Sequence, residues 1–124
     1  MAPNLKSKVA IITGASSQSG IGFNIARRLL SYGATVVMTD VLQKVGLESA
    51  ELLQKEFSRD RVEFLRADIT VPHELEGVVK HTITNYKRLD IMVNNAGRLV
   101  LLFGYNDFTM LQRPRVRYYT KPGT

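Results

Sequence analysis

The pattern of apolar and polar residues divides most of the chain into alternating strand and helix segments. Four apolar runs, at residues 8–13, 34–40, 61–68 and 88–97, are typical of strands covered on both faces. Between them, residues 20–32, 43–57 and 72–86 have the apolar spacing of amphipathic helices. The resulting βαβαβαβ order with short connections predicts an α/β fold in which helices cover both faces of a parallel sheet.

The strand order follows from the same pattern. We expect the first strand in the interior of the sheet, the second and third strands to one side of it and the fourth to the other. This arrangement is that of a mononucleotide-binding half. The predicted fold class is therefore a Rossmann-like, doubly wound parallel sheet that stops after about four or five strands.

The helical segments have predicted buried faces and recognisable ends. Gly33 follows the first helix where a left-handed C-terminal cap is expected, and Pro72 suits the first turn of the third helix because its missing N–H costs nothing there. The residues predicted to face the core are Ile21, Ile25, Leu29 and Leu30 in the first helix, Leu47, Ala50, Leu52, Leu53 and Phe57 in the second, and Leu75, Val78, Val79, Ile83 and Tyr86 in the third.

The regular pattern ends at Gly97. Residues 98–103, RLVLLF, could form a fifth strand that substitutes at the sheet edge, but the remaining residues have neither helical nor alternating periodicity. We therefore predict irregular chain there, broken further by Pro114 and Pro122. The net charge of +6 also changes at this point, since residues 1–97 carry +2 and residues 98–124 carry +4. We expect a half-domain over 1–97 and a divergent basic tail over 98–124.

The composition is that of one globular domain. The chain has 124 residues, of which 44% are hydrophobic and 23% are charged. It contains no cysteine, which excludes disulfides and thiolate metal sites. No apolar run has the length of a signal-peptide core or a membrane span, so the expected location is the cytoplasm, with no membrane partner.

The stretch TGASSQSGIG, residues 13–22, lies between the first strand and the first helix. Gly14 allows a sharp turn off the strand, whereas Gly20 and Gly22 leave room for a pyrophosphate and the adjacent backbone. The N–H groups of the helix start, at Ile21 and beyond, would face the phosphates. Ser16, Ser17 and Ser19 can add hydroxyl donors. This strand–loop–helix context predicts a dinucleotide site.

Asp40 ends the second predicted strand, about twenty residues beyond the glycine loop. A carboxylate there can accept hydrogen bonds from both ribose hydroxyls of an adenosine and would repel a 2′-phosphate. The position therefore favours NAD over NADP, and the adjacent Val41 is a further candidate cofactor-binding residue. The alternative is an ordinary solvated aspartate at a strand end.

Five features together make the chain resemble the N-terminal half of the short-chain dehydrogenase/reductase family. They are TG at 13–14, GIG at 20–22, Asp40, the Ala67–Asp68 pair and NNAG at 94–97, in the family's order. The segment after the second strand is most similar to the 15-hydroxyprostaglandin dehydrogenase and insect alcohol dehydrogenase-like branch. The resemblance implies NAD(P)-dependent oxidoreduction of a secondary alcohol or ketone.

The resemblance also implies roles for individual residues. Asp68 and its neighbour Ile69 would contact the adenine, and Asn94 would lie beside the cofactor ribose. Ala96 and Gly97 would let the backbone pass close to the cofactor. The loop departs from the family pattern TGxxxGxG, because Gly20 and Gly22 follow Gly14 with two additional residues between them.

The family's catalytic pair, Tyr-x-x-x-Lys, does not occur in this sequence. None of the five tyrosines is followed by a lysine four residues later, and all seven serines precede Gly97. We therefore assign no catalytic residue and expect a truncated family member that retains dinucleotide binding without turnover of its own. The alternative is a non-catalytic NAD-binding or interaction protein that pairs with a full-length relative through an exposed strand edge. Self-association through that edge is a further possibility.

Two other chemistries receive little support. His73 and His81 lie on one predicted helix without a third ligand at metal spacing, so we expect exposed polar residues rather than a metal site. The basic tail RPRVRYYTKPG contains residue types that bind nucleic acid. The small number of positive charges, five over residues 98–124, and the lack of a recognisable module argue against that function.

Overall fold

The computed structural model describes residues 3–94, 99–102 and 117–120. Residues 3–94 contain three strand–helix units and a fourth strand. The elements are β1 (Val9–Thr13), α1 (Ile21–Ser31), β2 (Thr35–Asp40), α2 (Gln43–Glu56), β3 (Val62–Arg66), α3 (Pro72–Tyr86), β4 (Ile91–Asn94), β5 (Leu99–Leu102) and β6 (Arg117–Thr120), with a short 3₁₀ turn at Arg59–Arg61 before β3.

The strands form one sheet in the order β3-β2-β1-β4-β5-β6. The first four are parallel, and β1 pairs with both β2 and β4. This confirms the predicted Rossmann-like order with β1 in the interior. Thr13 at the end of β1 is level with Thr39 of β2 and Asn94 of β4, so these strand ends meet at one edge of the sheet.

The last two strands are antiparallel to their neighbours. Strand β5 lies within the segment RLVLLF, so the edge of β4 is occupied rather than exposed. The prediction of irregular chain was wrong at Arg117–Thr120, where Tyr118, Tyr119 and Thr120 are residue types that favour strands. Four residues were too few for a periodic signal. Residues 95–98, 103–116 and 121–124 lie outside the described residues.

Two apolar clusters cover the two faces of the sheet. Helices α1 and α2 pack on one face, where Ile12, Met38 and Leu30 are almost completely buried. Helix α3 packs on the other face, with Val79, Leu89 and other residues of the second cluster. Alternate residues of β1 and β2 belong to opposite clusters, as the twofold repeat of a strand requires. The sheet is thus covered on both sides around β1 and β2.

The buried faces of α1 and α2 confirm the predictions for Leu30, Ala50 and Leu53 and differ at other positions. Ile21 is 54% exposed, and α1 also buries Gly22, Phe23 and Ala26. Leu47 and Leu52 are 49% and 46% exposed, and α2 buries Gly46, Ser49, Ala50 and Leu53. Small residues face the sheet because the helices pack close to it, and this closeness displaces larger apolar residues to the surface.

Gly46 shows how close α2 comes to the sheet. A Cβ atom at this position would lie 2.0 Å from the ring of Phe64 in β3. A larger residue would force the ring of Phe64 to move, so packing favours glycine here although it is a poor helix former. Gly33 has a different role, since its φ of +103° follows α1 in the predicted left-handed cap conformation.

The side chain of Asp90 connects the start of β4 to the start of β1 by hydrogen bonding. Its carboxylate accepts hydrogen bonds from the backbone N–H of Val9 at 2.9 Å and from the guanidinium of Arg88 at 2.6 and 2.7 Å. Burial raises the pKa of Asp90, but these hydrogen bonds and the positive charges of Arg88 and Lys8 outweigh it and hold the pKa below its ordinary value. The carboxylate therefore stabilises the folded chain in its charged form.

Candidate functional site

The glycine-rich loop leaves β1 through a left-handed turn. Gly14 has a φ of +66°, a conformation that side chains rarely adopt. Ala15 and Ser16 are then buried, whereas Ser17, Gln18 and Ser19 are exposed. The first part of the loop belongs to the core and the second part faces solvent.

The two additional residues are accommodated in a closed turn. The N–H of Gly20 donates to the carbonyl oxygen of Ser17 at 2.9 Å, and the hydroxyls of Ser17 and Ser19 are 3.1 Å apart. The chain therefore projects outward between Ser17 and Gly20 and returns to begin α1 at Ile21. Ala15 and Ser16, which precede this turn, are buried.

Gly22 allows α1 to pack directly on the start of the loop. A Cβ atom at Gly22 would lie 2.6 Å from the carbonyl oxygen of Gly14 and 3.0 Å from the Cα atom of Ala15. Real Cβ atoms essentially never approach another heavy atom as closely as the first of these distances. The helix start and the strand end are thus held together through backbone contact.

The first turn of α1 is suited to an anion. Gly20 is its N-cap and provides no side-chain hydrogen bond, and no acidic residue lies in the first turn. The amide of Asn24 donates to the carbonyl oxygen of Gly20 at 2.8 Å. The first N–H groups of a helix have no partner within it and form its positive end. They point toward the loop, where phosphates are expected.

Asp40 lies across from this loop at the end of β2. Its Oδ2 atom accepts hydrogen bonds from the hydroxyl of Ser16 at 2.8 Å and from the N–H of Ser16 at 3.3 Å. Its Oδ1 atom accepts from the N–H of Val41 at 2.7 Å. The structure therefore joins two residues that sequence analysis assigned separately, and the hydroxyl of Ser16 donates to Asp40 rather than remaining available to a phosphate.

Ser49 of α2 also contacts the loop. Its completely buried hydroxyl donates to the carbonyl oxygen of Ser16 at 2.5 Å. The apolar spacing of α2 did not indicate this residue, because it predicts a buried face made of apolar side chains. A serine between Gly46 and Ala50 on the inner face of an amphipathic helix is the signal that could have identified it.

Asp68 lies beyond the end of the neighbouring strand β3. The hydroxyl and the N–H of Thr70 donate to its Oδ1 atom at 2.6 and 3.0 Å and lower its pKa. The N–H of Ala67 donates to the carbonyl oxygen of Asp40 at 3.0 Å, which keeps the two strand ends adjacent. Val41 is 46% exposed beside them, and Ile69 is half-buried.

The remaining predicted site residues lie at the end of β4. The backbone of Asn94 is paired in register with Thr13, which places it at the same edge as the loop. Ala96 and Gly97 lie outside the described residues. Gly14, Gly20 and Gly22 line one end of this region and Asp40 the other, so the structure brings together the loop, the second strand and the third.

The histidines do not form part of this site. His73 is exposed as predicted, but the expectation of exposure was wrong for His81, which is half-buried. Its Nε2 atom lies 2.8 Å from Oε1 of Glu63, and the hydroxyl of Tyr86 donates to the other oxygen of that carboxylate. Glu63 lies on the α3 side of β3, so it attracts polar groups of α3 that helical spacing alone placed toward solvent.

Burial raises the pKa of Tyr86, and the hydrogen bond to the negative charge of Glu63 raises it further. Within the part of the chain that the structure describes, no three His, Cys, Asp or Glu side chains are grouped as metal ligands. Across the same residues, none of the helices has the length and apolar character needed to cross a membrane.

Comparison with protein families identifies similarity over most of the chain. A family model described as short chain dehydrogenase matches residues 8–114, so the match continues beyond Gly97. Short-chain dehydrogenase reductase 3c of Arabidopsis thaliana is 38% identical over 112 residues, which cover 90% of this chain and 41% of that protein. The mouse 15-hydroxyprostaglandin dehydrogenase, whose name specifies NAD(+), is 33% identical over 94 residues, or 76% of this chain and 34% of the relative.

Solved structures of short chain dehydrogenases and related reductases are also similar to this chain. A short chain dehydrogenase from Mycobacterium smegmatis has a TM-score of 0.67 and 34% identity over 73% of this chain and 36% of its own. L-sorbose reductase from Gluconobacter frateurii, solved with NADPH and L-sorbose, has a TM-score of 0.70 and 34% identity over 77% of this chain and 35% of its own. This chain spans about two fifths of the length of two curated relatives, short-chain dehydrogenase reductases 3c and 3a of Arabidopsis thaliana.

Proposed function

Because this chain belongs to the short-chain dehydrogenase family, whose members are NAD(P)-dependent oxidoreductases, we propose that it binds a dinucleotide at the carboxyl edge of its sheet and prefers NAD. The pyrophosphate would lie against the N–H groups at the start of α1, which is a ready-made anion site. The adenosine ribose would lie against Asp40. The adenine would lie between Asp68, Ile69 and Val41.

The observation that supports this proposal best is the position of Asp40. Its carboxylate is joined to the glycine loop through two hydrogen bonds from Ser16, so a cofactor on the loop has its ribose next to a negative charge. A phosphate about 4 Å from this charge is repelled by about 1–4 kcal/mol, depending on solvent exposure. A ribose hydroxyl would instead donate to it. The expected result is tighter binding of NAD than of NADP.

The oxidoreductase activity of the family is known here only from the names of relatives that are longer than this chain. L-sorbose reductase and the neomenthol dehydrogenases are named for small hydroxylated or carbonyl substrates, and each is matched over about a third of its length. These 124 residues include no Tyr-x-x-x-Lys pair, the group that would transfer the hydroxyl proton in the family. We propose that these 124 residues provide cofactor binding in the cytoplasm.

Thermal unfolding with increasing NAD or NADP tests the proposal. A ligand that binds only the folded state raises the midpoint according to its concentration relative to Kd. We expect NAD to raise the midpoint of the 124-residue chain more than NADP at equal concentration. The variant Asp40→Asn should reduce or reverse this difference, whereas Asp60→Asn, at an exposed aspartate of the 3₁₀ turn, should retain it.

Two results would contradict the proposal. One is a midpoint that neither dinucleotide changes, which would mean that the loop holds no cofactor. The other is an NAD preference that persists in Asp40→Asn, which would mean that Asp40 does not select the cofactor.

A further inference from the structure

We propose that Ser16 and Ser49 are positioning residues that fix the carboxylate of Asp40 and thereby determine the choice between NAD and NADP. The inference extends the proposed function and rests on it. The three side chains form what we call the Ser49–Ser16–Asp40 network, which runs from α2 through the glycine loop to the end of β2.

The network begins in the core. Ser49 is completely buried between Gly46 and Leu53 on the inner face of α2, and its hydroxyl donates to the carbonyl oxygen of Ser16. A buried hydroxyl is costly unless it is hydrogen-bonded, so this contact has a defined geometry. Ser49 therefore fixes the backbone of the loop at Ser16.

Ser16 transmits this position to Asp40. It is itself only 2% exposed, and both its N–H and its hydroxyl donate to the same oxygen, Oδ2. Two donors from one residue restrict the rotation of the carboxylate more than one donor would. Hydrogen bonds to a charged acceptor are also stronger than neutral ones.

The hydrogen-bond inventory of the carboxylate points to one open position. A carboxylate has about four lone-pair sites, and Asp40 already accepts two bonds at Oδ2 and one from Val41 at Oδ1. The remaining site, on Oδ1, is suited to one ribose hydroxyl rather than to both, as the sequence had suggested. A 2′-phosphate offers no proton there at neutral pH. It would be repelled by the carboxylate, whose rotation is restricted by its hydrogen bonds to Ser16.

The longer loop is compatible with this role. Its extra length is taken up in the closed turn from Ser17 to Gly20, so Ser16 stays in the core. The network thus depends on residues that precede the additional length and on none of those in the exposed turn.

The test is the ratio of the NADP and NAD dissociation constants, measured by calorimetric titration of the 124-residue chain and its variants. We expect Ser16→Ala to lower this ratio by about 3- to 10-fold, the effect of one hydrogen bond, mainly by weakening NAD. Ser49→Ala should lower it in the same direction by a smaller factor. Ser31→Ala, at an exposed serine whose hydroxyl bonds only within α1, should leave it unchanged.

A double-mutant cycle separates positioning from general support of the loop. If Ser16 acts through Asp40, adding Ser16→Ala to Asp40→Asn should leave the ratio of that single variant unchanged. Equal weakening of NAD and NADP in Ser16→Ala would overturn the proposal, because it would indicate a structural role only. A further fall of the ratio in the double variant would also overturn it.

A measurement without ligand distinguishes failure of this inference from failure of the proposed function. The decreases in Tm caused by Ser16→Ala and Asp40→Ala should not add in the double variant, because each removes the hydrogen bond between these two side chains. Additive decreases would show that the network is absent, even if NAD binds. Non-additive decreases in a chain that binds neither dinucleotide would contradict the proposed function and the selective role while leaving the contact itself in place.

Discussion

Replacing Gly22 with alanine tests the contact that joins the glycine loop to α1. The added Cβ atom would lie 2.6 Å from the carbonyl oxygen of Gly14, whereas ordinary contacts begin at 3.4 Å. The helix start must therefore move by about 0.8 Å or distort the loop, since the obstacle is backbone rather than a flexible side chain. Overpacking of this kind costs about 1–3 kcal/mol.

Gly77 provides the matched control because it is also a helical glycine but has open space around it. Nothing lies within 4 Å of a Cβ atom built there. Gly77→Ala should therefore raise the free energy of unfolding by about 0.5–1 kcal/mol through helix propensity alone. Gly22→Ala should lower it by about 1–3 kcal/mol, which is a large fraction of the 5–15 kcal/mol expected for a domain of about this size.

Urea denaturation at fixed pH measures both changes, and the titration with NAD measures the consequence for binding. We expect Gly22→Ala to lose NAD binding even where most of the protein remains folded, because the displaced N–H groups no longer face the phosphates. A Gly22→Ala variant as stable as the original chain, with the same affinity for NAD, would refute the reasoning. So would a Gly77→Ala variant that is destabilised as much as Gly22→Ala.

Three further predictions concern packing and charge. Gly46→Ala should lower the free energy of unfolding by about 1–3 kcal/mol, because its Cβ would overlap the ring of Phe64. An unchanged free energy of unfolding, measured by urea denaturation, would contradict this. Asp90→Asn should lower the free energy of unfolding by about 1–3 kcal/mol near neutral pH. Because the folded pKa of Asp90 lies below its ordinary value, the stabilisation is present above the unfolded pKa and is lost as pH falls below about 4. Urea denaturation at several pH values should therefore show a weaker acid dependence for Asp90→Asn, and an unchanged one would exclude this role. Tyr86→Phe should remove the tyrosinate absorbance that develops at the highest pH, since burial and the bond to Glu63 raise its pKa; loss of an ordinary tyrosine titration would contradict this.

The order of the parallel strands was predictable because apolar runs and amphipathic helices alternate along the chain with short connections. The glycines in particular could be interpreted from their positions, and the φ values of Gly14 and Gly33 agree with that interpretation. The strand β6 was not predictable, since the pairing of Arg117–Thr120 with β5 is a tertiary contact that four residues do not encode. Local pattern indicates an element only where it is long enough to repeat.

The inner faces of the helices were predicted less well. Apolar spacing favoured Ile21, Leu47 and Leu52, but the structure exposes them, and Gly22, Gly46 and Ser49 are among the residues that face the core. How closely a helix approaches a sheet depends on the opposite side chains, such as Phe64 across from Gly46. For the same reason, the pairing of Ser16 with Asp40 could not be predicted from residues separated by 24 positions.

The most direct test of cofactor binding is an NMR titration of the isotopically labelled 124-residue chain with NAD. We predict that the amide signals of residues 14–22 and of Asp40 and Asp68 shift together with one saturation curve, whereas those of α3 remain in place. NADP should require a higher concentration to produce the same shifts. Shifts confined to other parts of the chain, or none at concentrations of NAD that saturate ordinary dehydrogenase sites, would contradict the account.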